Sequence, residues 1–210
     1  MPAAAAVALA LCAWGCSNAN TSSASASASP AAVAAVASEA PQTVAAVVAP
    51  PAGSPKVRIV TTAGTIVVVL DQAHAPKTVA NFLKYVDSKF YDGGTFFRAI
   101  VGFVIQGGNK TRESPNDHPI PLEDPKVTGV RNVDGAIAMA RTSDPDSATS
   151  EFFIDDGAQT SLDGAPGSPG YAAFGRVTSG MAVVHKIVHL PVNGDQLVTP
   201  VTIVKIERVK

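Results

Sequence analysis

The sequence predicts a mainly β fold, a closed eight-stranded antiparallel barrel capped by two α-helices, and three observations carry that expectation. Short β-branched and aromatic runs recur from Lys56 to the C-terminus, separated by Gly, Pro, Asp and Asn. Only two segments in that region carry helical periodicity. Roughly eight strands with two helices in a domain of this size suggest closure into an antiparallel barrel.

The elements follow in order. Val57–Leu70, VRIVTTAGTIVVVL, reads as two strands joined at Ala63-Gly64. A helix follows, with Pro76 in its first turn and Val79, Phe82, Leu83 and Val86 at the i, i+3, i+4, i+7 spacing of a buried face. TFFRAI, GFVIQGG, GAIAMA, EFFID and YAAFGRV supply five further strands. A second helix over about Gly180–Leu190 carries Met181, Val184, Ile187 and Val188 on one side, and VTIVKIERV closes the chain as a strand.

The chain has 210 residues, with Lys+Arg 16 against Asp+Glu 17 and a net charge of -1, which disfavours a nucleic-acid partner. Glu39 is the only charged residue before Lys56, so the charge is concentrated in one domain-sized segment, 56–210. Both cysteines, Cys12 and Cys16, precede it, which removes disulfides, thiolate metal sites and cysteine nucleophiles from that segment. Residues 1–16 read as a signal peptide: the apolar run Ala3–Trp14 is too short to span a bilayer but suits an h-region. No Lys or Arg precedes it, so a basic n-region is expected upstream of the sequence given. Ala13-Trp14-Gly15-Cys16 resembles a lipoprotein cleavage box and makes Cys16 a lipidation candidate, with Ala13 standing where Leu is usual. The expected location is the periplasm, reached either with a lipid anchor, which would be the only membrane attachment, or as a released soluble form. Residues 17–55, rich in Ala, Ser and Pro, have too little apolar bulk to fold and form a tether.

Several familiar chemistries have no support. His185 and His189 lie four apart on the second helix without a third ligand or an HEXXH context, and Asp144, Asp146 and Glu151 lack the glycine of a calcium loop. No GxSxG, P-loop or GxGxxG pattern occurs, and Gly107-Gly108 reads as a bulge or turn. Neither metal nor cofactor is expected.

FFRAIVGFVIQGGN, GAIAMARTSDPDSATSEFFID and GYAAFGRVTSGMAVVHKI occur in that order. With these blocks the chain resembles, from Val57 to Lys210, the cyclophilin family of peptidyl-prolyl cis-trans isomerases, most closely its exported bacterial members. The resemblance implies a cyclophilin-like catalytic domain over 56–210, a monomer with its groove on the outer face of the barrel. It also implies catalysis without cofactor or covalent intermediate, and proline-containing unfolded or flexible polypeptides as partners. Arg98 matches the catalytic arginine and Gln106 the amide that positions it. Phe103, Val104, Met139, Phe153 and Leu162 match the proline pocket. Ala140 and Arg141 match the pair whose backbone holds the residue before proline, and Tyr171 stands where eukaryotic members carry His. Glu151 replaces the usual Gln, Ser161 an aromatic, Val101 a Pro and Val104 a Met. Retention of Arg98, Gln106, Phe103 and Phe153 favours isomerisation of X-Pro bonds in exported proteins, whereas Glu151 and Ser161 leave open a non-catalytic peptide-binding or chaperone role for the same groove.

Overall fold

Thr61 starts the architecture by closing its first hairpin. Its hydroxyl oxygen accepts hydrogen bonds from the N–H groups of Ala63 and Gly64 (both 3.1 Å) and donates to the Gly64 carbonyl (2.7 Å), so the side chain builds the turn between β1 (Lys56–Thr61) and β2 (Gly64–Leu70). Gly64, at φ 144°, is required there, because a Cβ would lie 2.6 Å from Val183 Cγ2. The computed structural model describes residues 49–111 and 118–209. The signal-peptide assignment, Cys16 and the tether up to residue 48 lie outside the described residues. The tether's end is already on the barrel: the Leu70 N–H donates to the Pro55 carbonyl over 2.8 Å.

The remaining elements are α1 (Pro76–Asp87), β3 (Thr95–Ile100), β4 (Val104–Gly108), a one-turn α2 (Pro125–Thr128), β5 (Ala136–Met139), β6 (Phe152–Asp155), a 3-10 turn (Thr160–Asp163), β7 (Ala173–Ser179), α3 (Met181–Val188), β8 (Val192–Asn193) and β9 (Gln196–Val209). Eight strands pair in the order β1-β2-β7-β5-β6-β4-β3-β9, every pairing is antiparallel, and β9 returns to β1. Closure leaves no edge among these eight. The two-residue β8 only adds a short hairpin to β9.

Alternation along the strands sorts side chains to two faces. Val57, Ile59, Ile66, Val68, Phe96, Ile105, Phe152, Ile154 and Phe174 fill the barrel core. Helix α1 contributes Phe82, whose ring contacts Tyr91, Phe152 and Phe174 at centroid distances of 5.3, 5.5 and 5.2 Å. Helix α3 adds Val184, Ile187 and Val188. A second, smaller cluster, Val104, Val130, Ala138, Phe153 and Ala173, forms on the opposite face of β4, β5, β6 and β7.

Two features escaped the sequence. Glu123, from a distant loop, caps α1 by accepting from the N–H groups of Lys77 (3.1 Å) and Thr78 (2.8 Å). The last strand starts at Gln196 rather than Val201: between its pairings with Phe96 (at Val201) and Arg98 (at Gln196) it bulges outward, which accommodates Pro200 within a strand.

Candidate active site

The site is a row of directly opposed residues. Arg98 on β3 pairs with Gln106 on β4, Gln106 with Phe153 on β6, Phe153 with Ala138 on β5, and Ala138 with Ala173 on β7. Opposed residues share a face, so the register alone sets a cation and an amide beside an apolar floor. A pocket of about 210 Å³ opens over this row, lined by Arg98, Phe103, Val104, Gln106, Ala140, Arg141, Phe153, Leu162 and Tyr171. All nine are residues predicted from the sequence.

Arg98 is held from two sides. Its Nη1 donates to Gln106 Oε1 (3.2 Å) and its Nε to Asp195 Oδ2 (2.6 Å). Gln106 in turn donates from Nε2 to Glu151 Oε2 (2.8 Å), and Lys110 Nζ lies 3.9 Å from the other Glu151 oxygen. Asp195 belongs to the β8–β9 turn, and the hydrogen bond from Arg98, seconded by one from Gln196, holds its carboxyl below the usual carboxylate range.

Phe153 is the floor, 5% exposed, with the Tyr171 ring meeting it edge-on at 5.7 Å. The guanidinium of Arg141 covers Tyr171 at 4.4 Å and donates to the carbonyls of Thr142, Pro169 and Gly170. That side chain therefore clamps the 165–170 loop onto the groove wall. Phe103 is placed by the β3–β4 turn, where the Gly102 N–H donates to the buried Asp156 carboxylate (2.8 Å) and Asp156 N–H donates to the Phe103 carbonyl (2.8 Å). The 3-10 turn brings Leu162 to the opposite wall: the buried Asp163 accepts from Arg131 Nε (2.7 Å) and Asn132 N (2.7 Å).

Two predicted residues sit elsewhere. Met139 packs into the barrel core, 1% exposed, because strand alternation turns Ala138 rather than Met139 to the groove. Glu151 lines a neighbouring depression of about 290 Å³ with Thr142, Ser147, Thr149 and Ser150; Gln106, Ala140 and Arg141 border both. The Ala140 N–H donates to the Glu151 carbonyl (2.9 Å), which pins the Ala140–Arg141 backbone between the two hollows. Ser161 is exposed on the 3-10 turn and does not line the pocket. Of the other groups weighed in the sequence, His185 Nδ1 pairs with Asp156 Oδ1 at 2.7 Å, and Asp144 and Asp146 accept from backbone N–H groups of Asp146 and Leu122.

Sequence reasoning missed Asp195, Asp163 and Asp155. Asn193-Gly194 was the available signal for the turn that carries Asp195. Asp155 lies opposite Val104, and both of its side-chain oxygens are buried without a hydrogen-bond partner. Burial, reinforced by the negative charges of Asp163 and Asp134, pushes its pKa up to about 9.

The site is thus an anchored cation beside a small apolar seat on the outer face of a closed barrel. A model of the family described as cyclophilin type peptidyl-prolyl cis-trans isomerase/CLD matches residues 56–208, and the chain belongs to that family. It is 46% identical over 135 residues to the peptidyl-prolyl cis-trans isomerase cyp18 of Streptomyces antibioticus, covering 62% of this chain and 81% of the relative. It is 40% identical over 131 residues to peptidyl-prolyl cis-trans isomerase B of Escherichia coli K12, covering 59% and 78%. Among solved structures it resembles a Cryptosporidium parvum cyclophilin type peptidyl-prolyl cis-trans isomerase crystallised in the presence of the dipeptide Ala-Pro, with a TM-score of 0.64, 26% identity, and coverage of 74% of this chain and 99% of that one. The chain is thus a peptidyl-prolyl cis-trans isomerase.

Proposed function

We propose that the groove seats a proline ring over Phe153, between Phe103, Val104, Leu162 and Tyr171, and that Arg98 donates to the prolyl amide as it twists. Rotation about an X-Pro bond meets a barrier of about 18–20 kcal/mol because the amide loses resonance. In the twisted form the nitrogen regains its lone pair and accepts a hydrogen bond that the planar form cannot accept. A donor at that place binds the transition state better than either ground state, which is the condition for catalysis. The reaction moves no proton and breaks no covalent bond. Arg98 fits the role because its guanidinium stays charged and offers a rigid fork of donors.

The observation that carries this reading is the Nη1–Oε1 bond from Arg98 to Gln106 at the edge of the Phe153-floored pocket. Cis/trans exchange of an Ala-Pro peptide, followed by NMR with catalytic amounts of protein, tests it. Acceleration that a competing proline peptide suppresses supports the groove, and acceleration indifferent to the competitor contradicts it.

The clients we infer are unfolded or flexible proline-containing segments of exported proteins, met in the periplasm by the single domain 56–210 at the end of the 17–55 tether. Support comes from the signal-peptide character of residues 1–16 and from Cys16 in its cleavage box. Mass spectrometry of membrane-extracted protein tests the lipid anchor: an acylated N-terminal Cys16 is the expected product, and an unmodified N-terminus downstream of Ala19 contradicts it.

A further inference from the structure

We propose that Asp195 is a positioning residue for catalysis, orienting the Arg98 guanidinium in the free protein so that its remaining N–H donors face the proline seat. This inference rests on the reading of Arg98 as the donor to the twisted amide.

The β8–β9 hairpin makes a two-residue turn between Asn193 and Gln196, with Gly194 at φ 64°. Main-chain bonds dock that turn on β3: the Ala99 N–H donates to the Asp195 carbonyl over 3.0 Å, and Arg98 pairs with Gln196. The carboxylate is therefore delivered to Arg98 by backbone that does not depend on it. Asp195 is itself oriented, because Gln196 Nε2 donates to its Oδ1 (3.1 Å) while Oδ2 accepts from Arg98 Nε (2.6 Å).

The consequence lies in the donor count. A guanidinium has five N–H groups in one plane. Asp195, from the β8–β9 turn, takes the one on Nε and Gln106, on β4, takes one on Nη1, which fixes both the position and the roll of the plane. Both Nη2 hydrogens and the second on Nη1 are left for a substrate. An unanchored arginine would have to lose its rotamer freedom at each turnover, whereas here that freedom is already gone. As a surface ion pair, with the Arg98 and Asp195 side chains 29% and 44% exposed, the contact adds little to folding stability, so removing it tests orientation and not the fold.

The test is steady-state kinetics on the full chain with Arg98→Ala as reference. Asp195→Ala is expected to lower kcat about threefold to tenfold, less than the 10²–10³ loss for deleting a whole donor, with KM within about twofold since ground-state binding does not need the orientation. Asp195→Asn, which keeps an oxygen acceptor in place, should recover most of the loss. The Arg98 Nε–H resonance should exchange with solvent faster in Asp195→Ala than in the wild type. In an Arg98→Ala background the second change should have no further effect. Wild-type kcat in a folded Asp195→Ala protein, or an equal loss with and without Arg98, would overturn the assignment while leaving Arg98 itself untouched. Full activity of Arg98→Ala would instead remove the reading on which the assignment stands.

Discussion

Gln106 stands between Glu151 and Arg98: its Oε1 accepts from Arg98 Nη1 at 3.2 Å while its Nε2 donates to Glu151 Oε2 at 2.8 Å. The carboxylate thus reaches the arginine through an amide, which it orients with the oxygen towards Arg98. A glutamine at 151 offers the same acceptor without the charge.

Glu151→Gln is expected to raise kcat/KM modestly. Two unit charges one side chain apart, ~7 Å, attract by about 2 kcal/mol at a dielectric near 20 and well under 1 kcal/mol in water. The Glu151 side chain is 34% exposed and faces Lys110, so the lower end applies and the gain should be roughly twofold to fivefold. Steady-state kinetics on an Ala-Pro peptide checks it; a clear fall in kcat/KM would mean that the carboxylate assists the reaction.

Asp155 makes stability depend on pH in an unusual direction. Its pKa, raised from the ordinary 3.8 to about 9, means that the folded protein keeps a proton that the unfolded chain releases. The folded state therefore binds more protons than the unfolded state between those values, and stability falls as pH rises through that window. Below about pH 4 the carboxyl is protonated in both states, so its titration no longer changes the stability. Asp155→Asn should match the wild type near pH 4 and exceed it increasingly towards pH 8, because folding the wild type then requires proton uptake that costs up to about 1.4 kcal/mol per pH unit. Urea midpoints of the two proteins across this range check it, and parallel curves would refute it.

Asp163 ties the 3-10 turn to the loop between α2 and β5, accepting from Arg131 Nε, Asn132 N and Asn132 Nδ2. Asp163→Ala leaves the buried Asn132 N–H without its acceptor, while Arg131, 33% exposed, can turn to water and Asn132 Nδ2 keeps the Tyr171 carbonyl, so the loss should be about 1–3 kcal/mol. The variant should unfold at markedly lower denaturant, and its KM should rise because Leu162 rides on the same turn. A midpoint within error of the wild type would show that water replaces the carboxylate.

The elements whose pattern is local were legible from the chain. β1 and β2 alternate, α1 repeats its apolar face, and the Arg98–Gln106 spacing across a tight turn places both on one face of a hairpin. Met139 was misplaced because the family pattern marks a residue near the groove without saying which way the pleat turns it. Asp195 and Glu123 were illegible for another reason: each acts on a partner far along the chain, 97 and 46 residues away, and nothing in a local window shows that a carboxylate will land there. The same holds for Asp155, whose burial comes from strand pairing and not from its neighbours in sequence.

The central claim is that Arg98 supplies the hydrogen bond that the twisted prolyl amide needs. The most direct measurement is NMR exchange of an Ala-Pro peptide in the presence of folded Arg98→Ala, with folding checked by circular dichroism and thermal melting. Removing one preorganised donor to a transition state costs about 10²–10³ in rate, and the account predicts a loss of that order in kcat with the melt essentially unchanged. Exchange as fast as with the wild type, in a variant shown to be folded, would contradict it.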